Sequence, residues 1–222
     1  MIGAAFRPST FTDAFRFMGD NTHLLLVKTA EHMELSGAAI GIALVLSLPL
    51  GVALGHLHRG SFFAISVSNV GRALPSTVLI ALGLSIFGIG FWNNTAALVV
   101  LAVPSILTNA YFGVDGVDRD VVEAARGMGM NGRQILWSVE LPLALPLLVA
   151  GIRIATIFVV ATATIAAIAG GGGLGEIIFN QASYRLAGVV AASLWVAALA
   201  LALSGILGLL RAWLSRSTTR AQ

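Results

Sequence analysis

The sequence predicts an all-α membrane protein with five membrane-crossing helices, and two observations support this fold class. First, 57% of the residues are hydrophobic and only 10% are charged, whereas a soluble domain carries about 25% charged residues. Second, four long runs contain no Asp, Glu, Lys, Arg or His: 35–55, 73–114, 154–175 and 186–210. Roughly 20 apolar helical residues cross a bilayer core. Each run is therefore long enough for one crossing, and 73–114 is long enough for two.

The bounds of the predicted elements follow from these runs and from the breaks between them. Residues 1–22 are interpreted as a polar lead-in, because they lack the basic-then-apolar order of a signal peptide. An amphipathic approach, 23–34, precedes the first span, and 60–72 leads into the second. The predicted spans are 35–56, 73–90, 94–113, 143–168 and 186–210, within a transmembrane domain 23–212 that is followed by a basic tail, 213–222.

The placement of Lys and Arg predicts the orientation in the membrane. If the N-terminus is outside, eight arginines face the cytoplasm and four basic residues face out, as the enrichment of Lys and Arg in cytoplasmic loops requires. The pI near 10.2 is then a property of the loops, and nucleic acid is not an expected partner. The inward set is Arg59, Arg72, Arg119, Arg126, Arg133, Arg211, Arg216 and Arg220; the outward set is Arg7, Arg16, Lys28 and Arg185.

The segment 114–142 differs from the rest of the chain because it concentrates charge. It is predicted to form a helix–turn–helix hairpin on the inner membrane face. The first predicted helix, 121–128, is capped by Asp120, with Glu123 completing a capping box, and it ends near Gly127 and Gly129. A turn is predicted at Asn131 and Gly132. A second helix, 133–139, is predicted to run to Pro142.

A run of glycines raises the alternative of a nucleotide site. Gly170, Gly172 and Gly175 satisfy the G-x-G-x-x-G pattern, but that turn requires a preceding strand and an acidic residue about 20 positions later. A membrane helix precedes these glycines, and no lysine completes a phosphate-binding loop. They are predicted to form a flexible or tightly packed re-entrant turn, of the kind that lines a transport path.

Other polar residues are weighed as candidate sites. No metal is expected at the acidic cluster Asp115, Asp118, Asp120 and Glu123, which lacks the order of a calcium loop. The chain also has no cysteine. His56 and His58 are interpreted as an interfacial tail. The rings of Phe91, Trp92, Tyr111, Phe112 and Trp195 suit an interfacial belt or, alternatively, a cage for a cation.

Polar residues inside the spans are the candidates for a translocation path. Arg153 has two interpretations: it faces the bundle interior or water, or it snorkels and pairs with 114–142. The candidate path residues are Pro75, Ser76, Thr77, Asn109, Arg153, Thr156, Thr162, Thr164, Gly171, Gly172 and Gly173.

The segment 123–142, "EAARGMGMNGRQILWSVELP", matches the EAA-x3-G-x9-I-x-LP signature of ABC importer permeases, with Val139 in place of isoleucine. The stretches "LPLGVALG" (48–55) and "LPSTVLIALGLSIFGIG" (74–90) add to the similarity. Over about 23–210, the chain resembles the permease subunits of importers for glycine betaine, choline, carnitine and proline betaine.

This resemblance implies a five-helix core of the methionine-permease type that works as a homo- or heterodimer in the cytoplasmic membrane. Its expected partners are a separate ABC ATPase, which binds ATP and magnesium, and an extracytoplasmic solute-binding protein. No cofactor and no ATPase site are expected in this chain. The residues expected to couple to the ATPase are Glu123, Ala124, Ala125, Gly127, Gly129, Arg133, Val139, Leu141 and Pro142.

Three alternatives remain at this point. The permease could carry another small solute, such as an amino acid or methionine. A secondary transporter would show paired broken helices and a buried carboxylate, and neither is apparent in the sequence. A membrane-embedded enzyme would require clustered catalytic groups, and the spans contain almost no charge.

Overall fold

A computed structural model describes residues 8–219, without the side chains of Pro8, Arg72 and residues 214–219. Residues 1–7 of the predicted lead-in and 220–222 of the predicted tail, with Arg7 and Arg220, lie outside the described residues. All secondary structure within 8–219 is helical. In chain order the helices are α1 Pro8–Asp20, α2 Thr22–His56, α3 Ser61–Ala73, α4 Ser76–Phe87, α5 Phe91–Asp115, α6 Arg119–Gly127, α7 Gly132–Ile135, α8 Leu141–Ala166, α9 Gly175–Phe179 and α10 Gln181–Thr219, with a π turn Leu136–Glu140 and a 3₁₀ turn Ala167–Ala169.

Four helical segments are long and apolar enough to cross a membrane: Thr22–His56, Phe91–Asp115, Gly132–Ala169 and Gln181–Trp213. A fifth crossing is reached only if α3 and α4 together form one span, bent by 93° at the break between them. The prediction of a polytopic all-α chain is confirmed. The second of the five predicted spans, 73–90, is not one straight helix.

The break between α3 and α4 has a local cause at Leu74 and Pro75. Leu74 has the extended backbone (φ −81°, ψ 119°) that a residue before proline prefers, and Pro75 lacks the N–H that would continue the helix. Because α4 has only 12 residues, it is about 18 Å long at 1.5 Å per residue. It is therefore too short to cross a bilayer alone.

Three of the other predicted spans are shorter than the helices that contain them, whereas 143–168 differs from α8 by two residues at each end. The predicted lead-in is helical from Pro8 to Asp20, and the predicted approach 23–34 is continuous with the first span. With 35 residues, α2 is about 52 Å long, which exceeds the roughly 30 Å of a bilayer core. The last helix likewise includes most of the predicted tail and bends at Arg185, which has φ 56° and ψ −179°.

The chain divides into two compact units, which are described separately. The first, called the glycine-turn unit, comprises the described residues of Met1–Ala39 together with Ser76–Leu98 and Val159–Ala202. Its core holds Leu25, Leu174 and Ile177, all fully buried. These residues pack the first half of α2 and the start of α10 around the short helix α9.

The second, called the hairpin unit, comprises Ile40–Pro75, Val99–Phe158 and the described part of Leu203–Gln222. The ends of α2 and α5 and the start of α8 pack there around Ala110, Val114 and Ala144. The two helices α2 and α5 approach closely at Gly51, where an added Cβ would lie 2.7 Å from Ala110 Cβ. This close packing fixes the three helices at the root of the segment 114–142.

Candidate functional site

The segment 114–142 folds as a hairpin with a small core of its own. Val122 and Ala125 on α6 pack with Val117 and with Ile135 of α7, and all four are buried. Amphipathic spacing therefore leaves the opposite face of α6 to solvent, where Glu123, Ala124 and Arg126 are exposed. This core makes the hairpin a compact body rather than an extended loop.

The caps of the hairpin helices differ from those predicted. Asp118, not Asp120, is the N-cap of α6: its carboxylate accepts the Asp120 backbone N–H at 2.9 Å. The capping box lies instead at α7, where Asn131 and Gln134 each accept the other's backbone N–H, at 3.0 and 2.8 Å. The physical reason is that α6 begins two residues earlier than predicted, so Asp120 and Glu123 both fall inside it.

The second arm of the hairpin also differs from the predicted short helix. It does not stop at Pro142, because α7 continues through the π turn into α8 without a break. Pro142 lies within this continuous helix directly after the π turn Leu136–Glu140, and local π adjustments of this kind can satisfy the backbone groups that a proline leaves free. A rigid helical connection therefore joins the hairpin to a membrane-crossing helix.

The predicted coupling residues differ in their exposure to solvent. Glu123, Ala124, Gly127, Gly129 and Arg133 are exposed, whereas Ala125, Val139, Leu141 and Pro142 are buried or half-buried in the hairpin and its root. No described atom lies within 4 Å of a Cβ added at Gly127 or Gly129. Gly129 has φ +85°, a left-handed conformation that glycine adopts without strain. The exposed set forms one outward surface.

Two histidines that the sequence assigned to an interfacial tail contact the hairpin root instead. His56 Nδ1, at the end of α2, donates to Glu140 Oε2 at 2.5 Å, and Glu140 is only 2% exposed. His58 Nδ1 donates to Asp115 Oδ1 at 2.8 Å. Sequence analysis missed Glu140 because a carboxylate next to Leu141 and Pro142 carries no signal of its distant partner.

The glycine run forms a tight turn that two neighbouring side chains hold in place. Gly170, Gly172 and Gly173 have φ between +70° and +74°, which a side chain would make unfavourable. Glu31 Oε2 accepts the Gly173 N–H at 2.9 Å, and Asn94 Nδ2 donates to Ala169 O at 3.2 Å. The turn is therefore tightly packed, as one of the two predicted alternatives stated.

An ion-pair network adjoins this turn. Lys28 Nζ lies 2.9 Å from Glu31 Oε2 and 2.5 Å from Glu176 Oε2. His32, 1% exposed, bonds to Val160 O through Nε2 at 2.9 Å and would contact a side chain at Gly173. Sequence analysis did not select these residues as candidates for a site. The i, i+3 spacing of Lys28 and Glu31 on one helix was the signal that could have predicted their ion pair.

The remaining candidate path residues do not form one constellation. The hydroxyls of Thr156 and Thr164 donate to backbone carbonyls of their own helix, at 2.8 Å in each case. Asn109 likewise donates to Ser105 O at 2.8 Å and packs against Gly151. Thr162 is buried, Gly171 and Gly172 are half-buried, Ser76 is half-buried at the start of α4, and Pro75 and Thr77 are exposed.

Arg153 is half-buried in the hairpin unit, and its Nε donates to Ser204 Oγ of α10 at 2.8 Å. Of the candidate aromatic residues, Phe91 contacts Trp92 and Tyr111 contacts Phe112, each a neighbour in sequence. Trp195 Nε1 donates to Thr29 Oγ1. Within the described residues, no group of three or more acidic or histidine side chains could hold a metal ion.

The fold and the hairpin agree with comparisons to known proteins. The family model described as "Binding-protein-dependent transport system inner membrane component" matches residues 24–220. The chain belongs to this family. In such ABC transporters the permease is the membrane subunit and the ATPase is a separate subunit.

Relatives of this permease include transporters of osmoprotectants. It is 37% identical over 179 residues to the glycine betaine/carnitine/choline transport system permease protein of Bacillus subtilis strain 168, covering 78% of this chain and 82% of that protein. It is 35% identical over 193 residues to the carnitine transport permease protein of Listeria monocytogenes, with 86% and 88% covered. The predicted family is thereby confirmed, as is location in the inner membrane.

The fold of the permease matches that of a solved importer. An inward-facing structure of the methionine ABC transporter MetNI aligns with a TM-score of 0.75 and 24% identity, covering 87% of this chain and 97% of that one. The predicted methionine-permease-like fold is confirmed. Binding-protein-dependent transport also implies a solute-binding partner in addition to the ATPase.

Proposed function

We propose that this permease forms the membrane path of an ATP-driven importer of osmoprotectants such as glycine betaine, choline, carnitine or proline betaine. The observation that carries the proposal is the 35–37% identity to osmoprotectant permeases over 78–86% of the chain. ATP and magnesium bind to the partner ATPase, and a separate extracytoplasmic protein delivers the solute. Two permease copies, identical or homologous, complete the path.

The hairpin 114–142 is the proposed contact with the ATPase. A compact, capped body continuous with α8 suits transmission of a rigid-body displacement. The exposed set Glu123, Ala124, Gly127, Gly129 and Arg133 supplies the docking surface, while Ala125, Val139, Leu141 and Pro142 hold it to the root. Docking there places the hairpin in the cytoplasm and the N-terminus outside.

The translocation path is proposed to use the predicted residues and the polar groups near the glycine turn. Buried polar atoms usually have a hydrogen-bond partner, yet five such atoms of the glycine-turn unit have none among the described residues: His32 Nδ1, Ser36 Oγ, Asn93 Oδ1, Asn94 Oδ1 and Thr95 Oγ1. Groups of this kind can exchange bonds with a polar solute. The candidates carried forward are Pro75, Ser76, Thr77, Asn109, Arg153, Thr156, Thr162, Thr164, Gly171, Gly172 and Gly173.

Uptake by the reconstituted system tests the proposed substrate. The permease, its ATPase and its binding protein are placed in proteoliposomes that contain ATP, and accumulation of labelled glycine betaine, choline and carnitine is measured. At least one of these solutes should accumulate well above an ATP-free control, and methionine should neither accumulate nor compete. Import of methionine without import of any quaternary ammonium solute would assign the permease to a different cargo.

A further inference from the structure

The end of α2 contacts both ends of the hairpin 114–142. Asp115 is the last residue of α5, where the hairpin begins, and Glu140 is the last residue of the π turn, where it joins α8. His58 bonds to the first carboxylate at 2.8 Å and His56 to the second at 2.5 Å. Two histidines two positions apart thus bridge the two roots of one functional segment.

The contact at Glu140 is buried. Its side chain is 2% exposed, and His56 Nδ1 is its recorded hydrogen-bond partner. A buried carboxylate is strongly unfavourable without a paired donor. Glu140 lies in a π turn, which contains one residue more than a turn of α-helix. Such turns are frequent at functional sites. The bond from His56 therefore offsets the cost of burying Glu140 at this position.

The end of α2 is itself fixed in the same packed group. A Cβ added at Gly51 would lie 2.7 Å from Leu107 O, and a Cβ added at Gly55 would lie 2.8 Å from Tyr111 O. Leu48 and Val52, between them on α2, pack against the buried cluster that also contains residues of α5 and α8. The backbones of α2 and α5 are therefore in direct contact over the last two turns before His56.

The backbone after His56 is shaped for the second contact. His58 has φ 50°, in the left-handed region, and its N–H donates to Gly55 O at 3.0 Å. A left-handed conformation is unfavourable for a residue other than glycine unless compensating bonds stabilise it. The bond to Asp115 Oδ1 supplies one such bond.

We propose that His56 and His58 are positioning residues that make the end of α2 a third support of the hairpin. A displacement of the hairpin then reaches α2 through the two histidine–carboxylate bonds, in addition to α5 and α8 through the chain itself. This inference rests on the proposed coupling of the hairpin to the ATPase. It assigns to α2 a part in coupling, through contacts with Glu140 of the EAA segment 123–142 and with Asp115 at the other end of the hairpin.

The test compares two measurements in the complete transporter. Co-purification of the ATPase with the tagged permease reports docking, and solute imported per ATP hydrolysed in proteoliposomes reports coupling. His56→Ala should leave co-purification unchanged and lower solute per ATP about fivefold, within the range seen for residues that carry coupling. His56→Asn keeps a donor that can reach Glu140 and should restore at least half of the wild-type ratio.

His23→Ala is the matched control, because His23 is an exposed histidine of the same helix, and it should change neither measurement. His58→Ala removes the more exposed of the two bonds without leaving a buried carboxylate unpaired. It should lower solute per ATP about twofold, so the test does not depend on how well His56→Ala folds.

Three results would overturn the inference: an unchanged ratio in both His56→Ala and His58→Ala, a loss of docking in proportion to the loss of import, or no recovery in His56→Asn. Absence of ATPase co-purification with the wild-type permease would instead refute the proposed docking function. The two failures are therefore distinguishable.

Discussion

At the scale of single residues, glycines on α2 have opposite surroundings. Gly51 and Gly55 lie against the backbone of α5, closer than a Cβ would allow, whereas no described atom lies within 4 Å of a Cβ added at Gly37 or Gly41. All four lie on one helix and follow the same spacing of four. Only Gly51 and Gly55 make the close approach that such spacing permits.

This difference predicts opposite effects of one substitution. Gly51→Ala should lower the free energy of unfolding by about 1–3 kcal/mol, because the new methyl group overpacks the contact with Ala110. Gly41→Ala should be neutral or should raise it by up to about 1 kcal/mol, because alanine is the better helix former. Thermal unfolding of the two variants in the same detergent measures the difference, and equal shifts would show that the α2–α5 contact is not tight.

At the scale of elements, the hairpin separates an inward from an outward face. Ala125 is 2% exposed in the hairpin core, while Glu123 and Met128 point to solvent. The EAA signature therefore combines residues that hold the hairpin together with residues that are free to contact another protein. Substitutions on the outward face should affect docking without affecting insertion or folding.

Charge reversal on the outward face tests this separation. Glu123→Arg should reduce ATPase co-purification about tenfold or more, since like-charge or unpaired contacts at an interface weaken binding by several kcal/mol. Asp20→Arg is the matched control, because Asp20 is equally exposed but lies on α1. Normal co-purification of Glu123→Arg would remove this face of α6 from the contact.

The elements were predictable where local signals decide them. The hairpin, its stop at Gly127 and its break at Asn131 follow from glycine and capping residues. The cap at Asp118 could not be predicted from the sequence, because two acidic residues compete for one cap. The continuity of α7 with α8 could not be predicted either, because Pro142 does not end the helix.

At the scale of the whole molecule, four segments of the described residues are long and apolar enough to cross a membrane, and a fifth crossing is reached if α3 and α4 form one bent span. An odd number of crossings places the two termini on opposite sides. The proposed orientation then follows from the excess of arginines in the segments assigned to the cytoplasm.

Single cysteines can test this orientation, because the chain has none of its own. Ile89→Cys and Met128→Cys replace side chains that are 81% and 77% exposed. A membrane-impermeant maleimide added to intact cells should label Ile89→Cys only, and it should label both in permeabilised cells that lack the ATPase subunit. The reverse pattern in intact cells would place the hairpin outside and contradict its docking role.

The sequence by itself determined the class of the protein, because hydropathy and charge act locally and a signature with fixed spacing needs no partner. Tertiary structure alone decided which residues meet: His56 with Glu140, Glu31 with Gly173, and Gly51 with Ala110. These contacts join residues 59 to 142 positions apart. Their energy depends on helix packing, which no local pattern records.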